Sequence, residues 1–301
     1  MSGSGISTVP LPENRYRPDL ISYSDERFQF ETEQFSREED ARRVKMLRKS
    51  ASQAKKPENR IAALELADRL DYGDGDPPET LASHLYMRGH RIAIAGALWR
   101  LAERPDFGQV SIVGIAPRSL EIPGESLWQV DPRKAGATVR TDLYNCGAKT
   151  AGGYAAAFFD AEHEPMTDMF RFHFHGLAAG GMLDVIEGLR AAPKYRSIAV
   201  REGHRKRVPR IVVSRKPLEN LPAPLTYLLK SFYSSKWEGQ IDGERRRQNR
   251  KSRIKEPRHS QVLLWLDRWS LQDITLLLGL RVNADGFHLT KPKTYTNGEG
   301  R

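Results

Sequence analysis

A single cysteine, Cys146, occurs in the 301-residue chain. That excludes an internal disulfide and any Cys-rich zinc site. No stretch approaches the roughly 18 consecutive apolar residues that a membrane-spanning helix needs. The opening residues MSGSGISTVPLPENRYRPD hold no apolar core, so no secretory signal is expected. Apolar residues are scarce as well, 39% of the chain against about 45–50% in an average globular domain. Part of the chain is therefore expected to lie outside any core. Acidic residues are outnumbered by basic ones, 38 to 48, for a net charge of +10. What these shortages leave is a soluble, basic, cytoplasmic protein with no membrane partner. At about 100–200 residues per domain, it has one large domain or two ordinary ones.

The basic excess has an address. REGHRKRVPRIVVSRK, residues 201–216, and ERRRQNRKSRIKEPR, residues 244–258, carry +6 each, more together than the chain's net +10. Arginine dominates both runs, and its planar fork pairs bidentately with phosphate. Clustered cations on a polyanion gain affinity by releasing condensed counterions. Arg205, Lys206, Arg207, Arg210, Arg245, Arg246, Arg247 and Arg250 are the expected nucleic-acid contacts. A solvated charged face is the plainer reading of either run alone; two runs so close together favour a nucleic-acid surface.

Residues 1–58 are polar and without sustained periodicity, which predicts a largely disordered segment with a short helix near 36–50. Residues 59–105 read as helical: Ile61, Leu64, Leu66 and Leu70 include the i,i+3 and i,i+4 pairs of an amphipathic first helix, and YGDGDPP is its stop. FGQVSIVGIAP is a buried strand by pattern, and MFRFHFHGLAAGG alternates aromatic and polar residues as a strand does. GMLDVIEGLRAA has helical spacing and LTYLLKSFYSSKW is a helix candidate. After an Arg-rich linker at 241–260, the apolar stretch 262–280 is expected to be a core helix or helix pair. Together these predict an α+β domain with a helical N-terminal prelude and a C-terminal helical segment over 261–301. Gly152-Gly153 and Gly180-Gly181 read as turn glycines, neither fitting a phosphate-loop pattern.

Two short motifs can carry chemistry. In RFHFHG, residues two apart on a strand share a face, so His173 and His175 can present neighbouring imidazoles to one metal ion. A pair of structural histidines fits the same pattern. A third ligand has to come from elsewhere, and Asp168, His163 and Glu164 lie just upstream. Imidazoles with a carboxylate suit Mn²⁺, Fe²⁺ or Zn²⁺ and accommodate Mg²⁺ bound to a phosphate. The second motif is Tyr-x-x-Lys, present as Tyr233/Lys236 and as Tyr227/Lys230, neighbours on a helix. A phenol with a pKa near 10 becomes a nucleophile when an ammonium or a polarised substrate assists it. An interfacial tyrosine beside a solvated lysine reads the same way.

The order of these pieces, a buried strand at 107–116, His-hydrophobe-His at 173–175 and Tyr-x-x-Lys at 233–236, resembles the HUH endonucleases. The nearest likeness is to replication initiators of rolling-circle plasmids, over about residues 106–240. The resemblance implies an antiparallel sheet bearing His173 and His175 as ligands of Mg²⁺ or Mn²⁺. It also implies a helix bearing Tyr233, or else Tyr227, as nucleophile on single-stranded or origin DNA, with Lys236 or Lys230 assisting. A 5′-phosphotyrosine intermediate follows, with host replication proteins as further partners. The chain departs from the pattern at two places. Only Ser111 stands where the family has Thr-hydrophobe-Thr, and Leu229 occupies the position of a hydrolytic glutamate. Two other readings compete: a non-catalytic nucleic-acid-binding protein or mobile-element regulator, and a metal-dependent hydrolase with no covalent intermediate.

Overall fold

The computed structural model describes residues 14–21, 30–199, 207–214, 216–236, 238–241, 244–247, 252–283 and 286–290. Three helices come first: α1 (Glu33–Gln53), α2 (Pro57–Leu70) and α3 (His84–Ala102). The 21-residue α1 occupies ground expected to be largely disordered. Its start is capped by Thr32, whose hydroxyl accepts from the Phe35 N–H at 3.1 Å. Its buried stripe is half polar, with Ser36, Glu39, Asp40 and Arg43 beside Val44, Leu47 and Ala51, which is why apolar periodicity fails to reveal it. Ser83 caps α3 in the same way, accepting from Tyr86 at 3.2 Å.

The chain then builds a sheet. β1 (Val110–Ile115), β2 (Glu121–Pro123), α4 (Pro132–Asn145), β3 (Tyr154–Glu164), β4 (Met169–Ala179) and α5 (Met182–Gly188) follow in order. Next come β5 (Ile198–Ala199), β6 (Arg207–Val208), β7 (Ile211–Val213) and β8 (Ser234–Ser235). β9 (Glu238–Ile241) and β10 (Glu244–Arg247) form a hairpin, and β11 (Ser252–Arg253) leads to α6 (Arg258–Leu266). β12 (Thr275–Leu278), β13 (Leu280–Asn283) and β14 (Gly286–Leu289) complete the order.

Strands run β7-β1-β4-β3 with every neighbour antiparallel, and apart from the short strands β2, β5 and β6 between them, β1-α4-β3-β4-α5-β7 follow the β-α-β-β-α-β order of a split βαβ unit. On the far edge of β3, β12 pairs antiparallel and β8 parallel, so the sheet is mixed but mostly antiparallel. The protein is α+β, with helices flanking that sheet. Among the described residues no helix is long and apolar enough to cross a membrane.

Strand alternation divides the sheet into two faces. One face carries Phe159, Phe170, Phe172 and Phe174, all buried, under α4 and α6. Phe159 stacks on Phe172 with centroids 5.0 Å apart, and fully buried Trp265 closes over both. Each such buried ring contributes about 1.5–3 kcal/mol of apolar transfer free energy. The opposite face, carrying Asp160, His173 and His175, is covered only in part.

Two segments differ from their expected form. A 3-10 turn, Ala223–Tyr227, opens the stretch 225–237 where a helix is expected, and the chain then runs through a turn into β8. Helical spacing is overruled there by tertiary pairing, since β3 offers Glu162 and His163 an open edge that Ser234 and Ser235 fill. The expected C-terminal helices reduce to α6; 275–278 joins the sheet opposite 155–158 instead, satisfying the same free edge.

Candidate functional site

Eleven-residue strands β3 and β4 pair along their full length, which fixes what lies beside the histidines. Asp160 stands opposite His173, Phe158 opposite His175 and Glu162 opposite Arg171. Directly opposed residues of an antiparallel pair share a face, so these six form one ladder. His173 Nε2 lies 3.4 Å from Asp160 Oδ2, and the two imidazole centroids are 6.4 Å apart.

The Tyr-x-x-Lys segment meets this ladder through its lysines. Lys230 forms an ion pair with Asp160, and Lys236 forms one with Glu162. Burial pushes the Asp160 carboxyl upward, but Lys230 and His173 outweigh it and hold the group well below the usual carboxylate range. Glu162 behaves alike: burial opposes ionisation and Lys236 more than restores it. Asp160 is thus a carboxylate held in its charged form by Lys230 and His173 although only 2% exposed.

Tyr233 lies on the other side of the sheet. Pairing of Ser234 with Glu162 puts Ser234 and Lys236 on the histidine side and turns Tyr233 into the core. Its ring packs edge-on against Phe172 at 6.0 Å, and its hydroxyl donates to the Phe159 carbonyl at 3.5 Å. Burial, reinforced by the Asp160 charge, raises its pKa well above that of an ordinary phenol. The structure therefore does not bring Tyr233 to the His173/His175 pair. Tyr227 is different: it ends the 3-10 turn three residues before Lys230 and is 39% exposed.

Arg91 of α3 grips this turn, donating to the carbonyls of Leu229 at 2.9 Å and Thr226 at 3.2 Å. Burial brings its guanidinium down to about 10, with the nearby Tyr227 hydroxyl acting in the opposite direction. Arg43 of α1 donates to the Ser231 carbonyl at 2.9 Å and the Ala82 carbonyl at 2.7 Å. His84 sits between Ser36 Oγ at 3.0 Å and Ser231 Oγ at 2.9 Å. The N-terminal helices thus bolt the lysine-bearing segment in place.

The other expected ligands gather elsewhere. His163 Nε2 meets Asp168 Oδ1 at 3.0 Å, and Arg258 donates to the same oxygen at 2.8 Å. His163 also packs on Phe170, whose face is opposite to that of His173. Asp168 and His163 therefore form a structural cluster with Arg258 at the β3–β4 turn rather than completing the histidine pair. Glu164 folds back onto its own turn, accepting from the Met166 N–H at 3.1 Å. Arg210, expected on the nucleic-acid surface, is buried and donates to Glu121 at 2.8 Å. Arg207 lies on β6 and Arg245, Arg246 and Arg247 on β10. Arg205, Lys206, Trp237 and Arg250 lie outside the described residues.

No family model, curated protein or solved structure matches this chain. The site has to be judged on its own chemistry. Among the described residues no three or more His, Cys, Asp or Glu side chains are gathered as a metal cage. His173 and His175 lie beside Asp160 on one face, and Asp160 is already held by Lys230. Asp160 and Glu162 escaped the motif reading. The alternation in FFDAEHE, one turn before HFHG, was the signal that pairs them with the histidines.

Proposed function

We propose that the protein is a DNA-nicking endonuclease and strand transferase of the HUH kind, acting on single-stranded DNA as rolling-circle replication initiators do. The observation that carries this reading is the ion pair of Lys230 with Asp160 beside His173. Through it, the Tyr-x-x-Lys segment and the His-x-His strand meet on one face of an antiparallel sheet. The β-α-β-β-α-β order supports the same reading.

In this proposal the partly open sheet face receives the strand, and the arginine-rich run at 244–258 supplies positive charge for its backbone. Tyr227 rather than Tyr233 supplies the nucleophile, because its ring is exposed while Tyr233 is buried. The Tyr227 Oη–P bond forms as the P–O3′ bond breaks. The phenol gives up its proton, the 3′ oxygen takes one up, and the 5′ end stays on the protein. A Mg²⁺ or Mn²⁺ ion on His173 and His175, when bound, supplies positive charge against the scissile phosphate. Lys230 supplies a second cation at the same place and keeps Asp160 ionised.

The test is incubation of the full chain with end-labelled single-stranded DNA and Mn²⁺ or Mg²⁺, resolved on a denaturing gel. A covalent adduct that persists in Tyr233→Phe and disappears in Tyr227→Phe is the expected result. An adduct retained in Tyr227→Phe, or none in the wild type, overturns it. Burial of Tyr233 favours a second reading, a nucleic-acid-binding protein without nicking activity. That reading expects tight DNA binding with no adduct under any metal.

A further inference from the structure

Away from the histidines, where β3 begins and β4 ends, lies a cavity of about 460 Å³. Arg104 and Arg281, with His288, line it together with Phe107 and the Gly152-Gly153 turn. Three elements meet here only because the backbones approach closely. A Cβ on Gly153 (φ +104°) would lie 2.1 Å from the Ala179 carbonyl oxygen. One on Gly279 (φ +64°) would lie 2.3 Å from the Gly153 carbonyl oxygen. These glycines let the β13–β14 hairpin sit against the start of β3.

Among the described residues the lining is cationic and hydrogen-bonding, with no acid in it. Arg281 and His288 are cross-strand partners in the hairpin, so both project from the same face. Arg104 pairs with Asp106 at 2.5 Å, but both side chains are about half exposed and such a pair is weak. His288 lines the cavity beside Arg281, and among the described residues its buried Nε2 has no hydrogen-bond partner. Phe107 offers an aromatic face at the same cavity, braced edge-on by Tyr154 at 5.6 Å.

The geometry points to a binding site for a nucleoside 5′-phosphate, with the phosphate on Arg104, Arg281 and His288 and the base against Phe107. The phosphate monoester can come from a free mononucleotide or from the 5′ end of a nucleic acid. Both present the same charge and base, and two arginines suit its planar oxygen edges. The site is independent of the nicking reading and shares no residue with it.

Calorimetric titration of the full chain with AMP, with a 5′-phosphorylated trinucleotide and with its 5′-hydroxyl counterpart decides the matter. Phosphate-dependent binding is expected, weakened about tenfold or more by Arg281→Ala and again by Arg104→Ala, the scale of one charge-assisted hydrogen bond. Both side chains are substantially exposed, so these variants should keep the wild-type melting temperature. His288→Ala should weaken binding in the same direction. Binding of AMP alone assigns a free nucleotide, and binding of the trinucleotide alone assigns a nucleic-acid end. Binding of neither, or affinities in Arg104→Ala/Arg281→Ala within twofold of wild type, overturns the site. A His173→Ala/His175→Ala variant should bind as the wild type does, whatever its effect on nicking.

Discussion

Arg43 of α1 donates to the backbone carbonyl of Ser231 at 2.9 Å, across 188 residues of sequence. The same guanidinium meets Ala82, Glu39 and Asp40, and it is fully buried. Burial lowers its pKa while the two carboxylates raise it, which is the balance expected of a cation held in the interior by acids. The N-terminal helices are therefore part of the scaffold that holds Lys230 at Asp160, rather than an appendage to the sheet.

Replacing Arg43 by methionine should destabilise the protein by about 3–5 kcal/mol, because two acids and two carbonyls lose a buried partner. The fall in denaturant midpoint measures it. A loss below about 1 kcal/mol, the range of an exposed pair, would show that α1 does not anchor the segment.

His84 makes stability depend on pH. Burial, followed by the Arg43 charge, brings its imidazole down to about 3 in the folded protein. Its unfolded value lies near 6.5. Between those values the unfolded chain binds the extra proton, so stability falls as pH falls from 6.5 towards 3 and is fully present above 6.5. Urea unfolding should show a loss of about 2 kcal/mol from this group between pH 6.5 and 5. His84→Gln, which cannot titrate, should flatten that slope; an unchanged slope rejects the assignment.

Removing one member of the Lys230–Asp160 pair leaves a buried charge alone. Lys230→Met should cost about 3–5 kcal/mol, and Lys230→Met with Asp160→Asn distinctly less than the two single costs together. Additive costs in this double-mutant cycle would place the lysine outside the site. Because the Asp160 pKa is depressed on folding, its stabilising contribution is present above about pH 4 and is lost as pH falls further. Asp160→Asn should remove that acid-side loss.

Much of the sheet was legible in the residues themselves. Alternation in MFRFHFHG announces a strand with phenylalanines on one face and histidines on the other, and β4 is that strand. The SIVGI run is β1. The 225–237 segment reads as a helix because Leu228, Leu229 and Tyr233 are spaced as a helix would space them, while the chain buries Leu228 and Leu229 in a turn and Tyr233 just before the short strand β8. Likewise α1 hides its core contact behind Glu39, Asp40 and Arg43, polar groups that pair with one another and with residues far along the chain.

By itself the sequence determined that no internal disulfide or Cys-rich zinc site is available, that positive charge concentrates in two late blocks, and that His173 and His175 share a strand face. Each follows from composition or from a local period, which needs no partner. Only the tertiary structure decided which acids meet the histidines, that Tyr233 is buried while Tyr227 is exposed, and that Asp168 joins Arg258. Those outcomes depend on strand register and on which sheet edge each late segment fills. A shift of one residue in the pairing of β8 with β3 would exchange the sides on which Tyr233 and Lys236 emerge.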